Sequence, residues 1–232
     1  MSRERARRFA AVVIAAIIAL IAVATHPPTE VQQLFNQPTP QSKTTSSPAI
    51  TVLGQLAVKG RAPMTGYSRD QFGGEWGTEN GCDTRNIILH RDLTETVVND
   101  KCQVTKGVLS DPYTGKTIDF TRGADTSGAI QIDHVVAIGD AWQTGAQQLT
   151  KEQRVAMYND PLELLAVDGP TNEKKGDGDA ATWLPPNKSF RCTYVARQIA
   201  VKKKYSLWVT PAEKQAMSSV LSSCPGQTVP AS

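Results

Sequence analysis

The chain has 232 residues, 40% of them apolar and 20% charged, which suits one domain with its own core and excludes a wholly disordered chain. Its formal charge of +3 comes entirely from Arg3, Arg5, Arg7 and Arg8 set against Glu4. The rest sums to zero, which argues against a globally basic coat for nucleic acid.

The four arginines precede a 16-residue run, Phe9 to Ala24, without a charged or polar side chain. Ala22-Val23-Ala24 gives the small-x-small pattern of a cleavage site. Residues 1–24 are therefore predicted to be a signal peptide, with an uncleaved N-terminal anchor as the alternative. The mature protein is expected to be secreted, with no membrane partner after cleavage. Residues 25–48 hold Pro27, Pro28, Pro38, Pro40 and Pro48 among Thr, Ser and Gln, with no apolar period. They read as a disordered linker. The folded domain is predicted over 49–226, with a short tail at 227–232.

Four cysteines, Cys82, Cys102, Cys192 and Cys224, imply two disulfides in an oxidising compartment. Three connectivities are possible, and the sequence-local pairs Cys82–Cys102 and Cys192–Cys224 are expected. No C-x-x-C spacing suggests a zinc knuckle.

Charge is divided along the chain. Residues 110–179 carry a net charge of −6 and residues 180–232 a net charge of +6. Acidic residues could hold a metal while the cations receive an anion, or the two segments could merely attract each other.

Ile130-Gln131-Ile132 alternates and runs into Asp133-His134, which predicts a strand. Thr150 with Gln153 starts a short helix that Asn159-Asp160-Pro161 stops. Leu162 to Val167 reads as a second strand. Gly169-Pro170 turns the chain, and Thr171 or Asn172 is placed to cap a helix. Phe190, Tyr194, Val195, Gln198 and Val201 share a helix face that ends in Lys202-Lys203-Lys204. Thr210-Pro211-Ala212-Glu213 is a capping box for a last helix to about Leu221.

Of three histidines, His26 lies in the linker, and His90 suits a surface or packing role. His134 follows Asp133 and precedes Asn172 by 38 residues. Alone, an Asp-His pair at a strand end reads as structural. The order strand ending in Asp-His, second strand, turn, helix with Asn and a Lys three residues on resembles the HNH endonuclease motif. The stretches Gln131 to Val136 and Asn159 to Asp177 resemble its GmrSD-type branch, secreted members above all. The likeness extends to Gly66-Tyr67-Ser68-Arg69, to Gly81-Cys82-Asp83-Thr84-Arg85-Asn86 and to Asp179-Ala-Ala-Thr-Trp183-Leu-Pro-Pro-Asn187, roughly from Ala62 to Met217.

The resemblance implies an α+β fold with a ββα-metal core, spanning about residues 130–180, inside a helix-rich single domain. It implies an exported endonuclease that depends on one divalent ion, Mg²⁺ or Mn²⁺. The residue chemistry fits. His134 can take a proton from water near neutral pH. Asp133 and Asn172 offer hard oxygen ligands. Lys175, on the same helix face as Asn172, can reach a phosphate oxygen. By spacing, Glu163 occupies the position of the motif's middle Asn, nine residues before Asn172. It accepts hydrogen bonds but does not donate as an amide does. Arg191, Arg197 and Lys202 are candidate contacts to backbone phosphates, and Trp76, Trp142, Trp183 and Trp208 are expected in the core. Asp177 and Asp179 read as a turn.

The expected partner is nucleic acid, taken to be DNA and met with low sequence specificity by a monomer. Two alternatives stand beside this. One is an exported binding module of the same fold with weak or no catalysis. The other is a hydrolase of another polymer, such as cell-wall glycan, with Asp133 and Glu163 as paired carboxylates. Asp133 and His134 would point to opposite faces of a regular strand, so an irregularity is predicted at the pair.

Overall fold

Two strands that lie 30 residues apart in sequence form the centre of the molecule. The computed structural model describes residues 47–230. The predicted signal segment and residues 25–46 of the predicted linker lie outside them. In chain order the described residues form α1 (Ala49–Gln55), β1 (Thr78–Glu79), β2 (Cys82–Asp83), α2 (Thr84–Asp92), β3 (Thr94–Val98), β4 (Val104–Ser110) and β5 (Thr117–Thr121). Then follow β6 (Ile130–His134), α3 (Ile138–Gln143), α4 (Lys151–Tyr158), β7 (Leu164–Asp168), α5 (Gly169–Lys175), α6 (Arg191–Lys204) and α7 (Pro211–Ser222). Helices are thus mixed with three small antiparallel sheets, β1-β2, β3-β4-β5 and β6-β7.

The β6-β7 pair lies between two cores, and β7 divides its side chains between them. Ile130, Ile132, Leu164 and Ala166 join Ile88 and Leu89 of α2 and Val104, Leu109 and Phe120 of the three-stranded sheet. Leu165 and Val167 join the larger core, where Val135, Val136, Met157, Tyr194, Val195 and Ile199 pack with α1, α6 and α7. That double burial explains why Leu164-Leu165-Ala166-Val167 is unbroken apolar sequence rather than an alternating pattern.

Helix starts follow local chemistry. Thr150 and Thr210 both form the capping boxes expected of them, with Gln153 and Glu213. The start of α5 differs from expectation. Its cap is Asp168, whose carboxylate accepts from Thr171 N at 2.9 Å, and Pro170 lies in its first turn. Asn172 therefore sits in the body of the helix, not at its opening, because the acid one residue before Gly169-Pro170 takes the capping role. An acidic cap also starts α2, where Asp83 accepts from Asn86 N at 2.8 Å. Neither α2 nor the three-stranded sheet was anticipated.

Both expected disulfides form, Cys82–Cys102 and Cys192–Cys224, with Cα–Cα separations of 5.3 and 6.5 Å. The first ties β2 to the turn before β4, and the second ties α6 to the end of α7. The domain edge is wider than expected. Pro48 bridges Thr228, and Val229 N donates to Ser47 O at 3.0 Å, so residues assigned to linker and tail close against each other. Among the described residues no helix is long and apolar enough to cross a membrane.

One glycine locks the strand–helix junction. A Cβ on Gly169 would lie 2.1 Å from the carbonyl oxygen of Gly128, which is backbone and cannot swing away. Gly169→Ala should therefore destabilise the protein by about 1–3 kcal/mol. The shift of the urea midpoint at pH 7 measures it.

Candidate active site

β6 ends at His134, and its pairing with β7 is regular to that point, Asp133 opposite Leu165 and His134 opposite Leu164. The predicted irregularity at the pair is therefore the end of the strand itself, not a bulge. A cleft of about 230 Å³ opens there, lined by Arg69, Asp133, His134, Asn172 and Asp177 together with Ile132, Ala137, Ile138 and Gly176. Three of the expected site residues, Asp133, His134 and Asn172, thus border one cleft.

His134 is held on three sides. Trp76 stacks on its ring at 5.6 Å and 7° between planes, and the Tyr158 ring lies 4.4 Å away. Its Nε2 lies 3.0 Å from the Tyr158 carbonyl oxygen. A carbonyl only accepts, so Nε2 carries the hydrogen and Nδ1 keeps a lone pair. Burial pushes the imidazole pKa down to about 3, with Arg69 and Lys175 adding to the effect. The ring is neutral at physiological pH.

Asp133 and Lys175 form a buried ion pair. Lys175 Nζ donates to Asp133 Oδ1 and Oδ2 at 2.7 and 2.8 Å, and to the His134 carbonyl at 2.6 Å. The Tyr113 hydroxyl also donates to Asp133 Oδ2. Burial raises the Asp133 carboxyl above its usual range, and Lys175 opposes that rise. The expectation that Lys175 reaches a phosphate is corrected by its position. Its ammonium is fully buried behind Asp133 and has no surface to offer.

Glu163 is also fully buried and is not among the residues lining the cleft. Its Oε2 accepts from Val136 N at 3.3 Å, and its own carbonyl accepts from Val135 N at 2.9 Å. Burial pushes its carboxyl well above the ordinary range, and Lys175 opposes that rise. It braces the two residues that follow His134, and it does not face Asp133 across an open cleft. Asn159, the amide nearest before Glu163, accepts from Gly77 N at 2.7 Å and Thr84 Oγ1 at 2.9 Å and does not line the cleft.

The three expected phosphate contacts are placed elsewhere. Lys202 is fully buried between Asp140 Oδ2 at 3.0 Å and Glu213 Oε1 at 2.8 Å. Arg197 donates to the carbonyls of Leu162, Pro161 and Leu164. Arg191 donates to the Pro185 carbonyl at 2.8 Å. Each is taken by acceptors within the fold, and none of the three borders the cleft. The cation at the cleft is Arg69, exposed in a 3₁₀ turn and 6.0 Å from the Tyr158 ring centroid. It makes no ion pair among the described residues. Arg69 lies within the Gly66-Tyr67-Ser68-Arg69 stretch, and nothing in its neighbouring residues marks a role for it. Trp76 packs against both cores, as expected, and adds the stacking on His134, while Trp142 and Trp208 are core as expected. Asp179 caps a turn as expected, whereas Asp177 borders the cleft and accepts from Gly139 N at 3.3 Å. His90, 3.0 Å from Thr96 Oγ1, keeps its surface role.

The chain passes from α5 to Asp177 through Gly176, whose φ of 51° and ψ of −131° suit only glycine. Asn172 Nδ2 donates to Gln131 Oε1 at 2.9 Å, which leaves its Oδ1 without a donor among the described residues. Asp133, Asn172 and Asp177 therefore supply oxygen atoms of the kind a hard cation takes. No group of three or more His, Cys, Asp or Glu gathers as a metal cage among the described residues.

Two outcomes follow from this geometry. Lys175→Met should destabilise the protein by about 3–5 kcal/mol in urea, because it strands a buried carboxylate. The second concerns acid. The folded pKa of His134 lies below its unfolded value of about 6.5. Its contribution to stability is present in full above pH 6.5 and is lost as pH falls toward 3. In EDTA, wild type should lose more stability than His134→Gln between pH 6.5 and 4, read as the change in the difference of their urea midpoints.

Comparison with known proteins places the chain. Residues 83–220 match the family described as GmrSD restriction endonucleases, C-terminal domain. An uncharacterized secreted protein of Arthroderma benhamiae is 40% identical over 190 residues, which covers 81% of this chain and 90% of that protein. No solved structure matches. More than half of the chain carries the family pattern, and it belongs to the family of GmrSD restriction endonuclease C-terminal domains.

Proposed function

We propose that this protein is an exported endonuclease that hydrolyses phosphodiester bonds in DNA with little sequence preference and depends on one divalent ion, Mg²⁺ or Mn²⁺. The observation that carries the reading is the tautomer of His134. The Tyr158 carbonyl holds the hydrogen on Nε2, which leaves the basic lone pair on Nδ1 of a histidine that lines one cleft with Asp133 and Asn172. The connectivity β6, β7, α5, in which a hairpin hands the chain to the helix bearing Asn172, supports a ββα-metal core.

The chemistry follows from the placement of groups. Asp133 and Asn172 would hold the ion, and it would supply Lewis acidity to the developing charge on phosphoryl and leaving oxygens. His134 Nδ1 takes a proton from the attacking water. The new bond forms from that water oxygen to phosphorus, and the bond to the 3′-oxygen breaks. Burial makes His134 a weak base in the free protein. The negative charge of a bound phosphodiester offsets that burial and strengthens it. Arg69 is placed to bind a phosphate oxygen as a charged donor. Lys175 and Tyr113 act behind the cleft by fixing the Asp133 carboxylate, and Glu163 fixes the segment after His134. The burial of Glu163 away from the cleft does not favour a paired-carboxylate glycan hydrolase, which needs both acids at the substrate.

Export is supported by the arginine-led apolar N-terminus and by the secreted relative. Low sequence specificity is supported by the cleft itself, where Arg69 is the one cation in the lining and is placed for a phosphate, which carries no sequence information.

Nicking of supercoiled plasmid by the disulfide-intact protein tests the proposal. Cleavage should require Mg²⁺ or Mn²⁺, stop with EDTA and fall at least about a hundredfold in His134→Gln. Arg69→Ala should lower it about ten- to a hundredfold with folding unchanged. A well-folded wild type that cleaves neither plasmid, single-stranded DNA nor RNA in either ion would overturn the enzyme reading.

A further inference from the structure

The side chain of Asn172 is one step of a hydrogen-bonded series that runs from the surface to the cleft. Glu173, exposed on α5, accepts from Gln131 Nε2 at 2.9 Å. Gln131, on β6, accepts through Oε1 from Asn172 Nδ2 at 2.9 Å. Each group in the series is an amide except the first, and that difference fixes the direction. A carboxylate can only accept, so Gln131 must turn its NH₂ to Glu173. Its oxygen is then left for Asn172, which must donate with its own NH₂. Only one orientation of the Asn172 amide satisfies the series, and it leaves Oδ1 for the cleft. Reversing it would set two carbonyl oxygens against each other.

We propose that Gln131 and Glu173 are positioning residues that hold the Asn172 amide oxygen toward the metal side of the cleft. The inference rests on the site reading above. It assigns work to two side chains that touch neither substrate nor ion. Gln131 shares the face of β6 that carries Asp133, two residues away, so one strand both provides a ligand and orients its partner. A ligand with two orientations, one of them presenting NH₂, binds in proportion to the population of the other. The relay removes that loss.

The test is Mn²⁺ affinity of the folded, disulfide-intact protein, measured by calorimetry on wild type, Gln131→Leu, Glu173→Gln, the double variant and Asn172→Ala. Gln131→Leu changes no charge and should weaken Mn²⁺ binding about two- to fivefold. Glu173→Gln should weaken it by a similar or smaller factor. Adding Glu173→Gln to Gln131→Leu should change nothing more, since Glu173 acts through Gln131. The Asn172 side-chain NH₂ signals in ¹⁵N spectra should broaden or exchange faster in Gln131→Leu without metal. Gln131→Met replaces Gln131→Leu where the leucine disturbs folding. Wild-type Mn²⁺ affinity in Gln131→Leu, with binding lost in Asn172→Ala, would overturn the relay and leave the site standing. Additive losses would show that Glu173 acts through its charge alone, which also overturns the relay. Full affinity in Asn172→Ala would overturn the site reading, and the relay with it.

Discussion

The strand and the helix that border the cleft are joined by one buried ion pair. Lys175 closes α5 against β6 by donating to both oxygens of Asp133 and to the carbonyl of His134. That single ammonium fixes the last residue of the strand relative to the helix that carries Asn172. A buried pair is not favoured for its own sake, since desolvating two charges costs several kcal/mol. What offsets the cost here is saturation. The ammonium has three hydrogens and three acceptors, and Asp133 gains a further donor from Tyr113. A methionine of similar volume could fill the space, but it could not hold the strand end and the carboxylate at once. We read the pair as a device for register between strand and helix, with Asp133 as both its anion and a wall of the cleft.

The 29 residues between β6 and β7 add the second constraint. They leave the strand at His134 and return to its partner at Leu164, and on the way they supply the Tyr158 carbonyl and ring that hold the imidazole. The insertion thus supports the histidine that begins it. In the HNH motif that this chain resembles, a middle Asn holds the loop. Here Glu163 stands at that position by spacing, and its carboxyl accepts from the Val136 amide inside the core. Burial, with Asp133 nearby, pushes the carboxyl toward the uncharged form that an amide has. The departure from the motif is therefore absorbed by the surrounding core rather than displayed at the cleft.

Much of this was legible in the sequence, and the parts that were not have a common cause. The strand through Asp133-His134, the capping boxes at Thr150 and Thr210, and both disulfides were read from local pattern, and local pattern is what fixes them. The roles of cations were misread. Lys175, Arg197 and Lys202 are ordinary basic residues in one dimension, and only the fold shows that each faces a carboxylate or carbonyl inside it. Arg69 lies 65 residues before His134 and meets it through tertiary packing. Trp76 was placed in the core by its type, which is the usual outcome for tryptophan, and its stacking on His134 has no signature in neighbouring residues. The cap of α5 was missed for a different reason. Asp168 sits at the end of an apolar strand, where strand and cap signals overlap on one residue.

The division of charge between the middle and end of the chain is resolved in favour of internal attraction. Lys202 pairs with Asp140, and Lys204 with Asp160, each joining the basic end to the acidic middle. Arg61 adds pairs to Asp140 and Asp179 from the other side. Part of the basic segment thus holds α6 against the insertion, while Lys188 and Lys203 stay exposed and make no ion pair among the described residues. Affinity for nucleic acid grows with the number of phosphates that a protein neutralises. A cleft with one free arginine can grip few of them. On the function proposed above, recognition would therefore rest on the contacts made to the one phosphate that enters the cleft, with Arg69 as their charged donor.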